Sequence, residues 1–355
     1  MTNQYTTSQI VRGLAAMLGL SLLGFGFLLW QTRGESLHLA VMDFDLAFLA
    51  PLGFLSLLDL LLGGLRNHVF IRKIAPEAGY WVSFRANLAN MFFGAVTPAQ
   101  TGGGFGQLFV FHRAGVSMSG AIATSVFNYL ATLCFFMIAT TLILKYGLSS
   151  IDVSIGVQVI VGACVLLVGI LLAFFLTIIS SPHLLQQLLR KFRLGLKAGK
   201  SPIRARLVAV AEKLQAGVLG YRQHTLYFLK EARQSLWLSL LLTVLLYWNK
   251  YNIAYVVLVA LNQHCDYLSV IFLQTVQLFL MYFAPTPGAS GVAEASTVAL
   301  MQSQVTTSAL PVFVLVWRFF TLHLAVLIGG MLLWRDFMHK SPANEIKEVP
   351  VAVES

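Results

Sequence analysis

Six apolar stretches long enough to cross a lipid bilayer recur along this chain, at about residues 11–31, 43–64, 117–146, 154–180, 236–262 and 308–334. A helical span needs about 20 mostly apolar residues, because the hydrocarbon core is ~30 Å thick. Composition agrees: 57% of the 355 residues are hydrophobic and only 11% are charged, too few charges to coat a water-soluble particle. Backbone amides in hydrocarbon must be paired within their own segment. The expected fold class is therefore an all-α polytopic membrane protein. The first stretch follows a single Arg12, and Gln31-Thr32-Arg33 after it offers no small-residue cleavage site. It reads as a retained span.

Two more apolar stretches, 80–112 and 267–304, are each broken in the middle by a Thr-Pro-Gly-rich segment. Arg85, Asn87 and Asn90 interrupt the leading half of the first, and Gln274 and Gln277 that of the second. Lys and Arg concentrate on the cytoplasmic side of membrane proteins. Eleven basic residues against two acidic ones lie between 181 and 235, nearly the whole net charge of +10. That segment is expected to be a cytoplasmic loop with an amphipathic helix, attracting anionic lipids. No aromatic stacking platform accompanies the charge, so nucleic acid is not an expected partner. Residues 65–79, with Arg66, Arg72 and Lys73, and the C-terminal flank, with Arg335 and Lys340, are also placed inside. Short loops near 32–42, 147–153 and 263–266 carry few basic residues and are placed outside. These placements agree if both broken stretches enter and leave on one side, as re-entrant hairpins from opposite faces. Both termini are then cytoplasmic, in a cytoplasmic (inner) membrane.

The breaks match each other. Thr97-Pro98-Ala99-Gln100-Thr101-Gly102 and Thr286-Pro287-Gly288-Ala289-Ser290-Gly291 both read Thr-Pro-small-x-hydroxyl-Gly. Each follows a span and a half-helix and precedes a half-helix and a span, so the chain is expected to hold two inverted repeats of the kind found in secondary transporters. Proline removes an amide hydrogen and disfavours helix before it. The half-helix after each break is expected to start with unpaired amides, a natural anion site.

The run from Thr97 through Gly102, Gly103 and Gly104, followed by Arg113-Ala114-Gly115 and by Ala121 to Ser125, resembles the first signature of the lysylphosphatidylglycerol synthase transmembrane-region family. Pro285-Thr286-Pro287-Gly288-Ala289-Ser290-Gly291-Val292-Ala293-Glu294 resembles the second, and Arg318 stands where that family tends to have an arginine. The resemblance covers about residues 10–335. Family members include the membrane half of the multiple peptide resistance factor, which translocates aminoacylated phosphatidylglycerol, and proteins accompanying polyprenyl-linked sugar or hopanoid pathways. The resemblance implies lipid translocation with the substrate open. Many members carry an acidic residue and an arginine after the first Gly-Gly, where this chain has Gly104 and Gln107. About 20 residues follow the last span and read as a disordered tail over 341–355, so no aminoacyl-transferring domain and no lysyl transfer are expected.

Ionisable groups inside a membrane are costly and point to function. Glu294 reads either as a headgroup or proton contact, or as the third residue of a helix capped at Gly291. Arg318 is deep enough to pair with Glu294 or to bind a lipid phosphate. Lys250, between Asn249 and Asn252, reads as part of a polar track or as interhelical bonding. Asp59 is expected to pair with Arg66 or Arg85, and His323 to be a packing residue. The expected substrate site comprises Thr97, Pro98, Thr101, Gly102, Gly103, Gln107, Thr286, Pro287, Gly288, Ser290, Gly291, Glu294, Arg318, Lys250, Asn87 and Asn90. The expected ligand is a membrane lipid with a phosphate headgroup. No catalytic residue, metal or cofactor is expected, and a homo-oligomer is left open. One alternative is an intramembrane lipid-modifying enzyme using Glu294 with His323 or His112. It has no H-E-x-x-H or G-x-S-x-G signature behind it. The other is a transporter for a small soluble solute.

Overall fold

Gly63 and Gly64, half-way along the second long helix, fix where the first hairpin docks. A methyl on Gly64 would stand 2.9 Å from Phe84 Cα, and one on Gly63 2.5 Å from the Asn87 amide. Small residues let helix backbones approach closely, the main source of attraction between helices in lipid. The computed structural model describes residues 7–31, 43–143, 145, 155–180, 220–302 and 304–338. Every element among them is helical. The stretch of the basic loop between 181 and 219, the loops at 32–42 and 147–153 and the tail at 341–355 lie outside the described residues.

In chain order the elements are α1 (Thr7–Gln31), α2 (Leu49–Ile74, led by a 3-10 turn Leu46–Phe48), α3 (Tyr80–Ala95), α4 (Thr101–Arg113), α5 (Met118–Leu142), α6 (Ile155–Ser180), α7 (Arg233–Ala260), α8 (Tyr267–Tyr282), α9 (Val292–Met301), α10 (Leu310–Arg318) and α11 (Leu324–Met338). Short polar side chains start several of them. Asp45 accepts from Ala47 N, Ser117 from Gly120 N and Asp266 from Ser269 N, each satisfying an amide that has no partner one turn back. Among the described residues, five stretches are long and apolar enough to cross a membrane: Val11–Trp30, Leu46–Ile74, Met118–Leu142, Arg233–Ala260 and Leu310–Leu333. Helix α6, with 26 residues, occupies the sixth expected position. Leu22, Leu23, Trp30, Trp237 and Met331 are all more than two-thirds exposed, an apolar surface suited to acyl chains.

Two spans depart from the sequence reading. The helix expected to end near residue 64 runs to Ile74. Residues 65–74 are therefore helix and not loop, and Arg66 lies within the helix. The charge does not end the helix because its guanidinium reaches the Asn128 carbonyl at 2.7 Å and Thr132 Oγ1 at 3.0 Å on α5. The last span is interrupted by a π turn, Phe319–His323. That turn loosens the carbonyls of its own ladder. Ser56 Oγ donates to Phe320 O at 2.7 Å, and His323 Nδ1 lies 3.1 Å from Arg318 O.

The topology follows from which residues meet. Helices α2 and α7 are antiparallel, since Ser235 bonds Val69 O, Lys250 meets Asp59, and Asp45 N bonds Ala260 O. The α3–α4 hairpin hangs from the C-terminal end of α2, and the α8–α9 hairpin from that of α7. They therefore enter from opposite ends of the bundle. Within the first hairpin, Asn90 meets Gln107 near the middle, while Thr97 meets Gly102 at the tip. At the base of the second, Cys265 reaches Gln304 O and Gln263 takes Thr306 N. The described chain is thus two inverted span–hairpin–span units, α2 to α5 and α7 to α11. An aromatic core containing Phe70, Phe127, Phe136, Phe228, Tyr247 and Phe279 joins them.

Candidate functional site

The two hairpin tips repeat one backbone conformation. Ala99 and Gln100 have φ of 51° and 55°, and the equivalent Gly288 and Ala289 have 58° and 56°. A pair of successive left-handed residues turns the chain through the break in both copies. Only one of the four is a glycine. Each of the others costs of order 1 kcal/mol, so packing around the tips over-determines them. The tips touch. Ala99 N donates to Pro285 O at 3.0 Å, and Gln100 Nε2 reaches Met281 O at 3.4 Å.

The amides that open the second half-helices are not free. Gly102 N donates to Thr97 Oγ1 at 2.8 Å, and that hydroxyl donates to Phe93 O at 2.7 Å. Gly291 N donates to Glu294 Oε2 at 2.6 Å. The expectation of unpaired amides presented to a phosphate is corrected for Gly102 and Gly291: each tip uses its own side chain to satisfy that amide. Glu294 is the helix cap and also faces Arg318, with Oε1 3.7 Å from Nε and both side chains no more than 4% exposed. Arg318 Nη2 donates to Gly288 O at 2.8 Å and lies 3.4 Å from Ser290 Oγ. Thr286, Pro287, Gly288, Ser290, Gly291, Glu294 and Arg318 thus form one cluster. Within it the Thr286 hydroxyl is enclosed and has no hydrogen-bond partner.

The first hairpin carries a neutral network instead. Asn90 Nδ2 donates to Gln107 Oε1 at 2.9 Å, and Gln107 Nε2 to Asn67 Oδ1 at 3.1 Å and Ser125 Oγ at 3.2 Å. Asn128 Nδ2 donates to the same Asn67 oxygen at 2.9 Å, and Ser239 Oγ to Asn128 Oδ1 at 2.8 Å. The chain ties α3, α4, α2, α5 and α7 together. Gly103 belongs to its packing, since a methyl there would come 2.8 Å from Asn90 O. Pro98 and Thr101 are exposed at the tip, with Thr101 Oγ1 bonded back to Pro98 O at 3.0 Å.

Two expected site residues lie elsewhere. Lys250 is bound to Asp59 at 2.8 Å, across α7 and α2, so Asp59 pairs with Lys250 in place of the expected Arg66 or Arg85. Asn87 points to α2, 3.4 Å from Leu60 O, away from the Asn90 network. Asn249 reaches Leu55 O, whereas Asn252 bonds Trp248 O and Tyr267. The two asparagines therefore serve different helix contacts and form no shared track.

Helix α1 has a role the sequence did not suggest. Gly13 abuts the Val96 carbonyl, Met17 lies against Gly288, Ser21 Oγ is 2.9 Å from Ser290 Oγ, and Gly24 packs on Glu294. These four residues fall on one helical face, laid across the first tip and along the second. The spacing was visible, but a purely apolar span gives no sign of what its small residues touch. Asn67, Asn128 and Arg66 were also missed. A signal existed for Asn128, a polar residue inside an apolar stretch.

A family model described as "Lysylphosphatidylglycerol synthase TM region" matches residues 13–329. A UPF0104 membrane protein of Archaeoglobus fulgidus is 25% identical over 279 residues, covering 76% of this chain and 81% of that protein. The match takes in both hairpins, their flanking spans and most of α1, so this multi-pass helical membrane protein belongs to the lysylphosphatidylglycerol synthase transmembrane-region family.

Proposed function

We propose that this protein is a lipid transporter that moves an anionic phospholipid, an aminoacyl lipid or a polyprenyl-phosphate-linked lipid across the cytoplasmic membrane, without an enzymatic step of its own. The observation that carries this reading is the tip-to-tip contact of two inverted hairpins, Ala99 N to Pro285 O, inside a bundle whose outer surface is apolar. Non-helical backbone at membrane depth is stable only where protein or a wet cavity surrounds it. Inverted repeats meeting at a midplane are the architecture of alternating access. The polar groups lie along the tips: Thr97, Thr101 and Gln100 on one side, Ser290, Glu294 and Arg318 on the other. Parting the tips costs few hydrogen bonds, while each hairpin keeps its own internal cap.

Transport of labelled phosphatidylglycerol, lysyl-phosphatidylglycerol and a short-chain polyprenyl phosphate in proteoliposomes tests the reading. Protein-dependent movement of at least one of these lipids between leaflets is expected. A protein that releases phosphate or a modified lipid under the same conditions is an enzyme, and the reading is then abandoned.

A further inference from the structure

Arg66 is an intramembrane cation that the fold leaves without a counter-charge of its own. It stands six residues before Arg72 on α2, about 9 Å further into the bundle at 1.5 Å per residue. Its Nη2 holds the Asn128 carbonyl and Thr132 Oγ1, but Nε is enclosed with no hydrogen-bond partner. Among the described residues no carboxylate forms an ion pair with it. Two other cations within the bundle are occupied, Lys250 by Asp59 at 2.8 Å and Arg318 by Glu294 at 3.7 Å with Gly288 O at 2.8 Å. Asp59 lies two turns before Arg66 on the same face of α2, yet its Oδ2 is already held by Lys250 at 2.8 Å. One carboxylate therefore serves two cations, and the group Arg66, Lys250 and Asp59 keeps a net positive charge. A surplus cation in a low-dielectric interior is expensive, and an arriving anion removes that cost.

The surroundings favour a phosphate. Arg66 holds Thr132, and one turn further along α5 Phe136 packs on Tyr247 at 4.8 Å and on Tyr282 at 5.7 Å between ring centroids; Tyr282 also stacks with Tyr129 at 5.9 Å. Tyr282 ends α8, next to Met281, whose carbonyl receives Gln100 from the opposite tip. Arg66 therefore sits beside the tip junction, on a flank that does not include the contacts made by α1. A guanidinium fork matches phosphate oxygens better than a point charge does.

We infer that Arg66 is the anchor for a phosphate-bearing anion at the tip junction, with the Tyr282 hydroxyl as a neutral partner, and that Arg318 is a strut holding the second tip. The assignment of a lipid as the source of that phosphate rests on the transport reading. The site itself does not.

The test uses the full chain in phosphatidylcholine nanodiscs, titrated separately with phosphatidylglycerol and with inorganic phosphate, with bound anion counted by native mass spectrometry. Arg66→Gln is expected to weaken phosphatidylglycerol binding about tenfold or more, and Arg66→Lys by less, since it keeps the charge and loses the fork. Because Arg66 also braces α5, each variant is first checked for a single monodisperse species. Asp59→Asn works in the opposite direction: it frees Lys250, removes the competing carboxylate and is expected to tighten binding severalfold. Adding Arg66→Gln to that variant is expected to abolish the gain, whereas a gain carried only by the freed Lys250 survives it. Binding unchanged in folded Arg66→Gln, or not tightened in Asp59→Asn, overturns the site. Binding of phosphatidylglycerol alone identifies a lipid headgroup, whereas inorganic phosphate binding with the same Arg66 dependence identifies a free anion, and both uphold the site. Arg66-dependent binding without any transport in vesicles sinks the transport reading and leaves the site standing.

Discussion

The two hairpins share a backbone and differ in almost every polar contact around it. Both turn through two consecutive left-handed residues at matching positions, 99–100 and 288–289. In the first, Thr97 caps the returning helix and a chain of uncharged amides from Asn90 to Ser239 locks it to the bundle. In the second, the equivalent Thr286 hydroxyl bonds nothing, and a carboxylate three residues past the cap residue Gly291 does the capping. That carboxylate is balanced by Arg318 from the last span. Counting from the aligned threonines, Tyr129 stands in the first repeat where Arg318 stands in the second. The duplicated feature is thus the turn, and each copy has satisfied its amides in its own way. A neutral lock is insensitive to loss of any one charge; an ion pair is not.

That contrast can be broken first at the charged tip. Arg318→Ala strands the Glu294 carboxylate in a buried setting and is expected to cost about 3–5 kcal/mol, seen as a large fall in the thermal unfolding midpoint in detergent. A fall no larger than that of a neutral-network variant would mean the two hairpins are held alike. Gln107→Leu removes the hub of the first network and orphans Asn67 and Asn90 in part, for an expected loss of about 1–3 kcal/mol by the same measurement. Close packing gives a smaller, sharper test. Gly102→Ala puts a methyl 2.6 Å from Thr97 Cγ2 and 2.9 Å from Phe93 O, for an expected loss of about 1–3 kcal/mol. Gly104→Ala, with nothing within 4 Å, should be neutral or slightly stabilising through helix propensity. Ala99→Gly relieves a left-handed alanine and should stabilise the first tip by up to about 1 kcal/mol.

The smallest expected effect is one of pH, at the exit of the first hairpin. His224, in the helical stretch 220–230, lies 3.3 Å from the Ser117 hydroxyl that caps α5. Burial holds its pKa below the ordinary histidine value. The folded state therefore takes up its proton less readily than the unfolded one. The contact contributes fully above about pH 6.5 and weakens as the pH falls below it through the lowered folded value. His224→Gln should flatten that dependence in hydrogen exchange of the 220–230 stretch.

Much of this architecture was legible in the residues. Apolar length located six helices, the Thr-Pro-small-x-hydroxyl-Gly match located both breaks, and spacing offered Glu294 as third residue of a capped helix as one of two readings. The side-chain partners were not legible, because they join residues far apart in the chain. Lys250 and Asp59 are 191 positions apart, and no local pattern links them. Arg66 was misplaced for a related reason. Charge statistics put an arginine near a span end outside the membrane, and only the Asn128 carbonyl on another helix shows why this one stays within.

The sequence by itself determined that this chain is a helical membrane protein and that its two halves each fold back at a matching break, since hydrocarbon leaves a backbone few other choices. Tertiary structure decided what those breaks do: that they touch tip to tip, that each seals its own first amide, that α1 lies across them, and that Arg66 keeps spare positive charge. Those outcomes depend on contacts between distant helices, where tenths of an ångström at Gly63 or Gly102 and one carboxylate at Asp59, bound to Lys250, settle which groups are satisfied.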